Sequence, residues 1–375
     1  MRIAIPDNFK FQFLYVLCIA IPYLNNYELT LATWFFTFFI SISRRYSLSF
    51  IKMIIPYTVI LILAIIVGLI YLKQYEMFFV LRDITYLLKP IVGLFAGYQL
   101  AIYNYKNAVI LSVNTGVFIS VCHLILVLNA IFVENARTVA LLRYHAGFFS
   151  DYEIYVLIIL VFSRQFGLNY SKKEWAILIS IVGISSFMYL ARTNFLQFVI
   201  LYLALKGYFV INTRSVLVIT SILISSVLTY SAVLYINPKR KAKGFEGFLY
   251  KIKVAPLEPF KTKINTEDYV DFNDNYRSHE NIMTIRQVSQ DGYKAIFFGK
   301  GIGSQIDLEQ EVYLGDMYLR YISILHNGFM TVFLKSGIIG VFILIGTILL
   351  TFRKQKSNYL LQTTINKLLF GTALF

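Results

Sequence analysis

An all-α fold, a polytopic integral membrane protein of about 11–12 transmembrane helices with one large outer loop, is predicted by three observations. Of the 375 residues 58% are hydrophobic, only 15% are charged, and mean hydropathy is +0.65, more apolar surface than a soluble domain of this length can hide. Apolar runs near the length of a bilayer crossing recur along the chain. One hydrophilic stretch, Asn237 to Leu325, then interrupts them and ends at His326-Asn327-Gly328, where the apolar pattern resumes.

In order, the candidate spans lie at about 9–24, 28–43, 52–72, 78–102, 107–133, 151–166, 174–191, 193–211, 215–236, 327–352 and 359–375. The first apolar run, Phe11 to Tyr23, follows Arg2 and Lys10 as a signal peptide's apolar segment would. Pro22-Tyr23-Leu24-Asn25-Asn26 comes next instead of a small-residue cleavage site, so it is read as a retained span. Three regions result: a helical bundle at 1–236, the large loop at 237–325 and C-terminal transmembrane helices at 326–375.

Charge sets the expected orientation. With the N-terminus inside, inner loops hold Arg44, Arg45, Lys52, Lys106, Arg164, Lys172, Lys173, Lys206, Arg214, Arg353, Lys354 and Lys356, while short outer loops hold only Lys73, Arg137, Arg143 and Arg192. This places the 237–325 loop outside. The net charge of +15 follows from the same rule and does not call for nucleic acid as a partner. In the loop, the half containing Pro238, Pro256 and Pro259 reads as irregular. The segment Glu280 to Phe298, with Ile282, Ile285, Val288, Tyr293, Ile296 and Phe297 at helical spacing, reads as an amphipathic helix suited to a membrane surface.

Several side chains are candidates for chemistry. Arg192, in a connection so short that it must be a tight turn, is placed to grip a phosphate with two parallel hydrogen bonds or to anchor the hairpin by snorkelling. Arg82, Tyr86 and Lys89 share a helix face before Pro90, and ionisable groups at such depth face a cavity or a partner; Arg82 and Asp83 neutralising each other is the alternative. Arg277 and Arg286 are loop cations that solvation alone would also explain. Gly299-Lys300-Gly301-Ile302-Gly303-Ser304 departs from a dinucleotide fingerprint and reads as a flexible turn back to the membrane. His326 stands where a span begins, and histidine titrates near neutral pH, which makes it a candidate proton acceptor.

Other chemistries lose support. The two cysteines, Cys18 and Cys122, sit in apolar runs and supply neither a disulfide framework nor a thiolate metal site; Cys122-His123 has no second ligand pair, and His123 and His145 show no obvious acidic partner for a membrane acyltransferase. No metalloprotease, nucleophile-elbow or P-loop motif occurs. A transporter of two equivalent halves would show a symmetry of spans that the single late loop lacks.

Ala191-Arg192-Thr193-Asn194 at a hairpin, the late loop, Phe297-Phe298-Gly299-Lys300-Gly301-Ile302-Gly303, and His326-Asn327-Gly328 followed by Lys335-Ser336-Gly337-Ile338-Ile339-Gly340 together resemble the O-antigen polymerase and O-antigen ligase superfamily of bacterial envelope glycosyltransferases. The resemblance covers most of the chain in topology and about the last 190 residues in motif. It implies a GT-C-like, all-helical enzyme of the inner membrane with its active face periplasmic. It also implies a donor glycan on undecaprenyl pyrophosphate and neither metal nor cofactor.

By resemblance, Arg192, one of Arg277 and Arg286, and His326 are catalytic; Arg82, Tyr86, Lys89, Asn327 and Lys300 are expected to bind substrate. Partners implied are membrane lipid, a chain-length regulator and a flippase of the same pathway. Ala191 stands where the family has Ser, and Lys335-Ser336 where it has Glu. The Tyr- and Phe-rich chain and the missing acid point to the polymerase branch, with ligase and, in another class, polysaccharide flippase as alternatives.

Overall fold

The computed structural model describes residues 9–24, 26–42, 45–104, 107–147, 151–189, 191–210, 212–239, 245–256, 261, 263–265, 268, 271–272, 275–314, 317–351 and 359–375. Among the residues that entered the charge argument, Arg44, Lys106, Arg353, Lys354 and Lys356 lie outside this set, as does the side chain of Arg192.

Each predicted apolar run carries a helix: α1 Phe9–Ala20, α2 Tyr27–Ile40, α3 Leu48–Ile70, α4 Met77–Tyr103, α5 Ala108–Phe132, and, after a short α6 at Val139–Ala146, α7 Asp151–Val161, α8 Lys172–Met188, α9 Arg192–Lys206 and α10 Thr213–Ile236. About 78% of the described residues are helical. Beyond α10 come α11 Phe245–Val254, α12 Tyr276–Gln290, α13 Tyr293–Phe298, strands β1 Ile306–Leu314 and β2 Met317–Ile322, then α14 Gly328–Thr351 and α15 Leu360–Leu374. Among the described residues four helices are long and apolar enough to cross a membrane: Leu48–Ile70, Ala108–Phe132, Thr213–Ile236 and Gly328–Leu350. The protein is a helical membrane protein by that measure.

Local chemistry explains the boundaries. Asn26, Thr138, Ser171 and Asn212 each accept a backbone N–H from the first turn of the helix that follows, and Ser171 with Glu174 forms a reciprocal capping box. Pro56 and Pro90 lie inside α3 and α4, each of which runs past its proline.

The chain forms two compact units. One comprises 1–52, 89–210 and 348–375. Its core is Val113 on α5, Ile154, Val156, Ile158 and Leu160 on α7, Val182 on α8, and Leu201 and Leu205 on α9. Gly116 lets α5 approach α7 closely, since a β-carbon there would lie 2.3 Å from a methyl of Val156.

The second unit, 53–88 and 211–347, holds the loop. Its core joins Met283 and Val288 of α12, Ala295 of α13, Ile306, Leu308 and Val312 of β1, Ile322 of β2, and Phe333 and Leu334 of α14.

Three loop expectations are corrected here. The half read as irregular contains α11. The single amphipathic helix is two, because the chain breaks at Asp291-Gly292, where Gly292 takes φ of +87°. Of the six apolar positions assigned to its face only Val288 is buried, and the buried side instead includes Ser278, His279, Glu280, Met283 and Thr284. The fold is also not wholly α: β1 and β2 pair antiparallel, with Val312 opposite Leu319 and Tyr313 opposite Tyr318, and a register shift between Asp307 and Val312 where Glu309 takes φ of +63°. Gly315-Asp316 between two short apolar-rich runs is a recognised hairpin signal that the sequence reading passed over.

Candidate functional site

In the second unit, α12 and the start of α14 bring together two side chains 46 residues apart. Glu280, 1% exposed, accepts the backbone N–H of His326 at 3.1 Å and lies 2.9 Å, through Oε1, from His326 Nδ1. A carboxylate only accepts, so the proton between them sits on Nδ1, and in the neutral imidazole Nε2 is then the acceptor. The His326 side chain is 46% exposed, so its reactive edge is open. Tyr276, one helical turn before Glu280, meets the His326 ring edge-on with centroids 5.5 Å apart. Burial first, and then the Glu280 charge, raise the Tyr276 hydroxyl well above its ordinary range, which keeps it a neutral donor.

The helix end positions this pair. Asn327 Oδ1 accepts the Phe329 N–H at 3.0 Å, and Thr331 Oγ1 accepts the Leu325 N–H at 3.1 Å. Asn327, expected to bind substrate, thus caps α14 with its side-chain oxygen.

Arg277 and Arg286 are both exposed, but their circumstances differ. Arg286 is paired with Glu309 of β1. Arg277 makes no ion pair among the described residues and lies three residues before Glu280 on α12, on a neighbouring position of the helix surface.

A second cluster lies beneath the turn at 299–304. Lys335 of α14 donates to Asp83 of α4 at 2.5 Å, each side chain 1% exposed, and to the Ser304 carbonyl at 2.6 Å; the Gly303 N–H donates to the same Asp83 oxygen at 2.7 Å. The self-neutralising Arg82–Asp83 pair is therefore not formed: Asp83 belongs to Lys335. Lys335, the departure from the resembled pattern, is a structural cation whose charge Asp83 answers. Arg82 and Lys300 both lie within electrostatic reach of Lys335, and Lys300 is paired with Asp291 at 2.6 Å.

The glycine turn is wedged rather than flexible. A β-carbon at Gly301 would lie 2.1 Å from the Gly68 nitrogen of α3, and one at Gly299 2.5 Å from the Ser336 nitrogen; both residues take positive φ. The Lys300 N–H donates to the Leu334 carbonyl, and the Ile302 N–H to that of Ala64. Only glycine satisfies this backbone and this approach together.

The remaining candidates fall in the first unit. Lys89 sits 4.9 Å over the Tyr27 ring and 5.6 Å from that of Trp34, a cation–π arrangement that occupies its charge. Arg192 opens α9 after Ala191, which donates no side-chain cap. Thus Arg82, Tyr86 and Lys89 share a helix face, yet Lys89 belongs to the first unit and the other two to the second.

His123 has a partner that the sequence hid. Its Nδ1 lies 2.8 Å from Ser185 Oγ, which donates to Glu153 at 2.5 Å, while Ser120 donates to the same carboxyl oxygen at 3.0 Å and the ring stacks on Tyr189 at 3.7 Å. This buried relay links α5, α7 and α8. Among the described residues no group of three or more His, Cys, Asp and Glu is placed to hold a metal ion.

Sequence reasoning missed Glu280. It resembled one more charge on a solvated loop, and only the packing of α12 against the α14 start shows its partner. Compared with protein-family models, curated proteins and solved structures, the chain finds no match.

Proposed function

We propose that the protein is a membrane glycosyltransferase that moves a glycan from a lipid pyrophosphate to a sugar hydroxyl, with His326 as the base. The observation that carries this reading is the pairing of His326 with buried Glu280, which holds Nδ1 of a half-exposed imidazole against the acid. Nε2 takes the acceptor hydroxyl's proton as that oxygen bonds to the donor's anomeric carbon. On the opposite side the carbon–oxygen bond to pyrophosphate breaks, inverting the centre. The negative charge left on the pyrophosphate is met by a guanidinium group, assigned to Arg277 in the loop, without need of a metal.

In this reading the apolar helices form a bundle of about 11–12 spans in a bacterial inner membrane, and the 237–325 loop works at the periplasmic face. The donor is an undecaprenyl-pyrophosphate-linked oligosaccharide, and a chain-length regulator and a flippase act with it. The acceptor assigned is another lipid-linked repeat, which makes the protein a polysaccharide polymerase. Transfer to lipid A-core, the ligase reaction, would use the same groups.

The surface glycan of a strain lacking the protein separates the two. A single-repeat ladder means polymerase; lipid A-core stripped of glycan, with lipid-linked polymer retained, means ligase. Purified protein is expected to stay active in chelator, and His326→Ala to abolish transfer while still binding the lipid-linked donor. Transfer by His326→Ala at more than about a tenth of the normal rate overturns the assignment, since a lost general base costs on the order of a hundredfold or more.

A further inference from the structure

The β1–β2 hairpin presents an aromatic face that the transfer chemistry does not use. Tyr313 and Tyr318 are cross-strand partners with ring centroids 5.1 Å apart, and they remain 58% and 70% exposed. Their neighbours Val312 and Leu319, pointing the other way, anchor the hairpin in the core of the second unit. Further along β2, Tyr321 is half exposed, and the Arg320 guanidinium lies 5.6 Å from its ring.

The hairpin is held rigidly. Arg320 grips Asp307 with two hydrogen bonds of 2.8 and 2.9 Å, Gln287 of α12 exchanges hydrogen bonds of 2.6 and 3.0 Å with the Asp307 backbone, and a ring nitrogen of His279 meets the Leu308 carbonyl at 3.0 Å. Through α12 the hairpin is tied to the helix that carries Glu280. β2 ends four residues before His326.

Charge selects the occupant. Asp307, Glu309, Glu311 and Asp316 stand in the 306–322 sequence against Arg320, with Arg286 of α12 paired to Glu309, so the balance stays acidic. An anionic lipid surface or a pyrophosphate would be repelled by this balance. Paired, exposed tyrosine rings suit an uncharged sugar, whose axial C–H groups pack on the ring faces.

We propose that the Tyr313–Tyr318 face is a glycan-binding platform for an uncharged pyranose oligosaccharide, holding the acceptor chain on the approach to His326. Its role as an acceptor site rests on the transfer reading; the binding itself does not.

The test is direct binding to the full-length protein in nanodiscs. The probe is a set of oligosaccharides released by mild acid from the source cells' own surface polysaccharide, with vesicles of phosphatidylethanolamine and phosphatidylglycerol as comparison. The wild type is expected to bind the oligosaccharides. Tyr313→Ala and Tyr318→Ala each weaken binding about tenfold, about 1.4 kcal/mol, and Tyr→Phe at either position retains most of it.

Absence of binding by the wild type overturns the platform, as does binding that neither alanine variant weakens. So does a vesicle affinity that falls in the tyrosine variants while oligosaccharide affinity does not. Binding that persists in a protein without transfer activity keeps the platform and removes the transferase reading, so the two failures are distinct.

Discussion

Replacing Glu280 with Gln tests whether the geometry around His326 is a catalytic device. Gln has nearly the same shape and keeps an oxygen for the His326 backbone N–H, now 3.1 Å from the carboxylate. Its amide group would face Nδ1 at the position where Oε1 now lies, 2.9 Å away. An amide donates there, so the imidazole proton moves to Nε2 and the exposed nitrogen no longer accepts. The lost interaction is a hydrogen bond to a charged group, about 1.5–3 kcal/mol. Because Glu280 is 1% exposed, water screens the charge little and the upper part of that range applies. At 1.36 kcal/mol per decade the expected fall in kcat is about a hundredfold. KM for the donor should hardly change, because Glu280 touches His326 and not the pyrophosphate. The assay is transfer by purified protein in nanodiscs, with melting temperature as the control for folding and ¹⁵N resonances of His326 reporting the tautomer. Glu280→Asp should recover part of the rate. A kcat within about threefold of wild type at unchanged melting temperature would refute the reasoning, as would a wild-type imidazole already protonated at Nε2.

Two further outcomes follow from the ion pairs. Arg277→Ala should lower the transfer rate on the order of a hundredfold, the scale of a lost charge-stabilising donor, whereas Arg286→Ala, which only releases Glu309, should cost less than about threefold. Equal effects in a rate assay at matched protein level would remove the loop-arginine assignment. Lys335→Met should destabilise the protein by about 3–5 kcal/mol, because it leaves Asp83 buried without its cation, and adding Asp83→Asn should restore much of the loss. Thermal melting of the two variants checks this, and a double variant no better than the single would show that the Ser304 carbonyl contact, not the charge pair, holds α14.

Much of the helical architecture was legible because a helix in an apolar run depends on local pattern. Three of the runs begin at capping residues, Asn26, Ser171 and Asn212, whose side chains accept N–H groups of the first turn. The loop was less legible, since its pattern served two ends. Ile285, Tyr293 and Phe297 have helical spacing yet remain exposed, while Glu280 and Thr284 are buried to meet His326 and the helix backbone. Hydrophobic periodicity fails where polar side chains are buried for each other. His123 failed for the same reason, its route to Glu153 passing through Ser185 on a third helix.

The position of the acid shows how a motif can mislead when read alone. Lys335 stands where the resembled pattern has a Glu, and a reading confined to α14 removes any carboxylate from the chemistry. The structure places one there from outside that segment: Glu280 arrives on α12, and its orientation depends on the α14 start, where Thr331 and Asn327 fix the chain entering at His326. Lys335 meanwhile is spent on Asp83, which fastens the 299–304 turn by accepting the Gly303 N–H. The α14 helix therefore meets the buried acid of α12 at its His326 end and holds the turn with its own buried base, Lys335, nine residues after His326. A substitution at Lys335 would reach His326 only by loosening that helix, so it should lower melting temperature before it changes the pH profile of transfer. Changes at Glu280 should do the reverse.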